Sequence, residues 1–189
     1  MVGPSIGSGT STEQLNNFKL TTDMIDFSKI LFLDIETVSQ QKSYDQLNER
    51  MQKLWDKKSD QLNRDNAEST PAEVYDRAAI YAEFGKIVCI SVGFFNDQRF
   101  RLKSFYGHDE KTLLNDFAYM LNRYYSAPDA QLCAHNGKEF DFPYIARRML
   151  INGIQIPKVL QVAGKKPGRP TSSIRWSYGN SATTRATPL

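Results

Sequence analysis

Residues Ile30-Leu-Phe-Leu-Asp-Ile-Glu36 form a short apolar run, rich in strand formers, that ends in two carboxylates. Side chains at i and i+2 of a strand leave the same face. Asp34 and Glu36 are therefore expected side by side at the C-terminal end of a buried strand. Two acids held that close repel each other and resist desolvation unless a cation compensates them. Their hard oxygens suit Mg²⁺ or Mn²⁺. The plainer alternative is a hydrated acidic turn just past a strand.

Around this run the chain alternates strand and helix signals. Residues 43–66 carry Tyr44, Leu47, Met51, Leu54, Trp55 and Leu62 at helical spacing. Thr70, Pro71 and Glu73 have the pattern of a capping box and predict a second helix. Lys86–Phe95 and Arg99–Phe105 read as an antiparallel hairpin joined by Asn-Asp-Gln. Asp109 can cap a helix that buries Leu113, Leu114, Phe117 and Leu121. Gln131–His135 reads as a short strand, and a helix from Pro143 closes at Gly153. Strands paired as a hairpin, beside strands linked through helices, predict an α/β fold with a mixed sheet.

The second acidic segment is Ala134–Ile145, AHNGKEFDFPYI. A strand ends near His135, Asn-Gly turns the chain, and Asp141 stands at the start of a helix. There it can act as an ordinary helix cap, or cap the helix and still present an oxygen to a metal. His135 and Asn136, taken singly, read as a structural histidine and a turn residue.

The run LDIET resembles the first motif of the DEDD 3′–5′ exonuclease superfamily. HNGKEFDFPYI resembles its second motif, in the version found in the proofreading domains of family B DNA polymerases. Stand-alone bacterial relatives of those domains share a phrase like EFGKIVCISVG, here residues 83–93. The resemblance spans about residues 29–167. It implies a ribonuclease H-like fold, a mixed β-sheet with helices on both faces, and two divalent ions, Mg²⁺ or Mn²⁺, held by four carboxylates. Asp34 would bridge both ions, Glu36 would bind the one holding the nucleophilic water, and Asp141 the other. Thr37 would lie beside the 3′-terminal nucleotide. Asn136 and Phe140 would line a single-strand channel, with Phe140 offering a stacking face. The implied reaction is hydrolysis of single-stranded nucleic acid from its 3′ end, DNA rather than RNA, by two cations flanking the scissile phosphate.

The pattern departs from the family after Asp141. A third motif, Tyr-x-x-x-Asp, should follow and does not. Tyr125 and Asp129 have that spacing but precede the second motif, on a loop holding Pro128. The histidine version also fails, because Leu113 and Phe140 stand five residues after His108 and His135. The fold is thus expected to be C-terminally incomplete over 27–167, and the activity of this chain impaired by loss of the third motif. Residues 168–189 read as an unstructured tail of shifted reading frame, and residues 1–26 as a disordered extension. A ribonuclease H-like module that binds nucleic acid or protein without hydrolysis is the alternative.

Bulk properties narrow little else. The formal charge of +3 equals that of the three arginines in residues 168–189, a stretch without acids, so net charge points to no partner. The longest apolar stretch, Ile87–Phe95, is far too short to span a bilayer, and no secretory signal is visible. Cys89 and Cys133 lack metal-ligand spacing and read as free thiols in a reducing, cytoplasmic compartment.

Overall fold

A computed structural model describes residues 26–63 and 69–161. The expected N-terminal extension up to residue 25 and the tail of 168–189 lie outside the described residues. Four strands form one mixed sheet in the order β3-β2-β1-β4. They are β1 (Ile30–Ser39), β2 (Gly85–Asn96), β3 (Arg99–Tyr106) and β4 (Gln131–Cys133). β1 pairs antiparallel with β2 and parallel with β4. The α/β class and the mixed sheet are as the sequence predicts.

The β2–β3 hairpin turns on Asp97 and Gln98, both at positive φ (50° and 61°). That geometry matches the right-handed twist of the flanking strands. Helix α2 (Glu110–Tyr124) begins where expected, with the Asp109 side chain accepting from the Lys111 backbone N–H. It leads to β4, which ends at Cys133 rather than His135. Helix α3 (Asp141–Ile151) follows.

Both helices pack on the same face of the sheet. Leu31, Leu33, Ile35, Ile90, Val92 and Phe105 join Leu114, Phe117 and Leu121 of α2 and Phe142, Ile145 and Met149 of α3 in one core. The opposite face carries Phe32, Asp34, Glu36, Ser91, Leu102 and Tyr106. Among the described residues no helix covers it, so the expectation of helices on both faces is met on one face only.

Between β1 and β2 the chain makes a separate small core of Leu47, Trp55, Tyr75, Ala78 and Phe84. Helix α1 (Glu49–Leu62), capped by Asn48, contributes Trp55 to it. The periodic segment thus helixes over a shorter range than predicted, and Tyr44–Gln46 before it is a 3₁₀ turn. The capping box does close: Thr70 N–H donates to Glu73 Oε2 at 2.7 Å, and Glu73 N–H to Thr70 Oγ1 at 3.4 Å. It opens onto turns and a 3₁₀ helix, Tyr75–Ile80, instead of an α-helix. Tertiary packing of Tyr75 and Ala78 against Trp55 decides the backbone there.

Candidate active site

Asp34 and Glu36 leave β1 on the open face and are exposed, while the alternating Leu33 and Ile35 are buried. Period-two alternation delivers this arrangement directly. A register shift between Glu36 and Thr37 follows at once, and such irregularities re-aim the side chains around them. Thr37 is the register partner of Ile87, on the helix side, and lies near the Tyr144 phenol.

β4 stops opposite Phe32, which leaves the neighbouring edge of β1 free of a strand beyond that point. The turn after β4 brings α3 to this edge. It is tight: Asn136 sits at φ 53°, and its carbonyl accepts from Glu139 and Phe140 N–H. A Cβ on Gly137 would lie 2.6 Å from the Ala134 side chain and 2.7 Å from the Phe142 ring, so the close approach needs glycine.

Asp141 is the first helical residue, with Phe140 in the cap position and no side-chain capping bond. The expected cap role is therefore not what holds it. It is 2% exposed. Burial pushes its carboxyl up to about 6, and the negative charge of Asp34 adds to the rise. The backbone N–H groups of Asp141 and Ile35, with His135 nearby, oppose it. Asp34 and Asp141, more than a hundred residues apart in sequence, thus feel each other as like charges.

Phe140 is half-buried and stacks on Tyr144 at 5.4 Å between ring centroids, so part of its expected stacking face is already occupied. Asn136 and His135 are exposed. Tyr144 escaped the sequence reading. Burial pushes its phenol up to about 12, and it donates to the Ala79 carbonyl at 2.7 Å. Its position three residues after Asp141, on the same side of a helix, was the available signal.

Among the described residues no three His, Cys, Asp or Glu side chains group closely enough to hold a metal ion. Asp34, Glu36 and Asp141 are thus not gathered into one such group. The Asp34–Asp141 pair nevertheless fits a hard divalent cation. Mg²⁺ keeps several waters and is held by one or two carboxylates together with substrate phosphates, and a cation there would relieve the repulsion that adds to the burial-driven rise of Asp141.

A family model described as a predicted 3′–5′ exonuclease related to the exonuclease domain of PolB matches residues 79–180, over half of the chain. The matched span holds Asn136, Phe140 and Asp141, begins after Asp34, Glu36 and Thr37, and runs past Gly168. The structure of the family B DNA polymerase from the hyperthermophilic archaeon Pyrobaculum calidifontis is similar at 18% identity and a TM-score of 0.32. That match covers 66% of this chain and 11% of the polymerase. No curated protein matches the chain. Among the described residues no helix is long and apolar enough to cross a membrane.

Proposed function

This chain belongs to the family of predicted 3′–5′ exonucleases related to the exonuclease domain of PolB, and on that footing we propose that it removes nucleotides from the 3′ end of single-stranded DNA with Mg²⁺ or Mn²⁺. The observation that carries the proposal is the pairing of exposed Asp34 with buried Asp141, whose carboxyl is raised in part by its neighbour's charge. Clustered acids facing a phosphate serve no purpose in a plain binding site.

Asp34 and Asp141 would hold one cation between them, and Glu36, two residues along the same face, would hold a second. Divalent ions bound there supply an activated water and charge stabilisation for an in-line displacement at phosphorus. Asp141 is held by burial at the start of α3, so its oxygens would be preorganised before substrate arrives. The buried phenol of Tyr144 would lie behind Thr37 at the β1 irregularity, and Thr37 beside the position a terminal nucleotide would take. A reducing, cytoplasmic setting suits the free Cys89 and Cys133.

The test is digestion of 5′-labelled single-stranded DNA by the purified chain, with a matched RNA in parallel. A ladder shortening from the 3′ end with Mg²⁺ or Mn²⁺, absent in EDTA, is expected. Undiminished cleavage in chelator sinks the metal assignment. The second reading, a nucleic-acid-binding module without hydrolysis, draws on the three acids not forming one metal-sized group among the described residues. Strand binding without cleavage under every cation condition would support it.

A further inference from the structure

β3 lies at the sheet margin with one edge unpaired, and between that edge and α2 runs an open groove. Lys103, Ser104, Phe105 and Tyr106 line it from the strand, and Asp116, Tyr119, Met120 and Tyr124 from the helix. Three tyrosines here are unusually bare: Tyr106 is 79% exposed, Tyr119 70% and Tyr124 71%. Exposed aromatics gathered in this way are not explained by packing.

The charge along the strand is one-sided. Arg99, Arg101 and Lys103 alternate along β3 on the helix-facing side, about 7 Å apart, and all are exposed. Asp116 is the one acid lining the groove. A second copy adding its own β3 would bring these like charges against each other, which disfavours strand addition. A polyanion with flat rings meets both features at once, because its backbone pairs with the cations and its bases stack on the tyrosines.

The groove also leads somewhere. Tyr106 is the register partner of Cys89, and Cys89 of Glu36. The tyrosine thus stands two strands away from that carboxylate on the same open face, about 10 Å off.

We infer that the β3–α2 groove holds single-stranded nucleic acid upstream of the cleaved end, with Tyr119 and Tyr124 as base-stacking positions and Arg101 and Lys103 on the backbone. This deepens the exonuclease reading and rests on it for the direction of the strand. The binding itself is independent of hydrolysis.

Fluorescence anisotropy of labelled oligothymidylate, titrated with the full chain in EDTA, tests it. Truncating Tyr119→Ala and Tyr124→Ala together is expected to weaken binding by about tenfold or more. Lys103→Glu with Arg101→Glu is expected to weaken it and to flatten its salt dependence. All four positions are exposed, and circular dichroism confirms that the variants fold. Wild-type affinity in both double variants, or no binding by the wild type, overturns the inference. So does oligoglutamate binding that the charge reversal abolishes while oligothymidylate binding is untouched, which would make the groove an acidic-peptide site. Lost cleavage with groove-dependent binding intact counts against the exonuclease reading alone.

Discussion

Asp34 and Asp141 carry opposite histories at the scale of single residues. Asp34 was legible from the sequence because a strand's period of two needs no tertiary information. Asp141 was legible as an acid at a helix start, but its burial was not. That depends on β4 ending after three residues, and local propensity does not set the length of a short strand. Exchange of either acid for asparagine is expected to abolish cation-dependent cleavage. The two differ in stability. A carboxyl raised in the folded state stabilises the fold below its unfolded value of 3.8, and that contribution is lost as pH rises through about 6. In chelator the protein should therefore weaken across this window by at most about 3 kcal/mol, at 1.36 kcal/mol per unit. Asp141→Asn should not, and urea unfolding midpoints at acid and neutral pH compare the two. Identical pH profiles would remove Asp141 as the cause.

At the scale of elements, one buried charge pair among the described residues, announced by no motif, ties α2 to α3. Arg148 of α3 donates from Nε to Glu110 Oε1 at 2.8 Å and from Nη1 to the Ala82 carbonyl at 2.9 Å. Glu110, at the start of α2, also accepts from the Ile87 N–H at 2.7 Å and from Asn152 Nδ2 at 3.0 Å. Two helices, β2 and the segment before it meet at this point. Burial pushes the Glu110 carboxyl up, but these donors outweigh it and hold it below the ordinary value. Its contribution is present above the unfolded pKa and lost as pH falls through the lower folded value, opposite in sign to Asp141. Arg148→Met leaves the acid buried and uncompensated and should cost about 3–5 kcal/mol. Replacing both partners with apolar residues should cost less, and a double-mutant cycle by thermal unfolding measures the difference. Sequence could not reveal the pair, since neither residue is distinguished by spacing. It did give α2 with its Asp109 cap, because a cap needs only its own first turn.

At the scale of the whole molecule, the described residues form two cores of unequal size. The large one under the sheet follows from alternation and helical periodicity and was readable in outline. The small one around Trp55 was not, because its 3₁₀ segment takes its shape from contacts with α1. Trp55 lies within 5.2 Å of Tyr75 and 4.9 Å of Phe84 between ring centroids, and its indole N–H donates to the Pro71 carbonyl at 2.7 Å. Its own core is the smaller of the two, so this unit should open first. In a Trp176→Phe background, Trp55 emission should change at lower denaturant than the helical circular dichroism signal. Coincident transitions would mean a single cooperative unit.

Ser39 and Gly85, the ends of that unit, are register partners across β1 and β2. Some five ångströms separate the backbones of such partners. Residues 40–84 are accordingly a cassette, entered and left through one doorway, and a tight hairpin could bridge the gap without altering the sheet's pairing. Such a deletion would not be silent. The cassette lends its Ala79 carbonyl to the Tyr144 phenol and its Ala82 carbonyl to Arg148. A shortened protein would keep its strands in order and lose two acceptors directly behind the acidic edge.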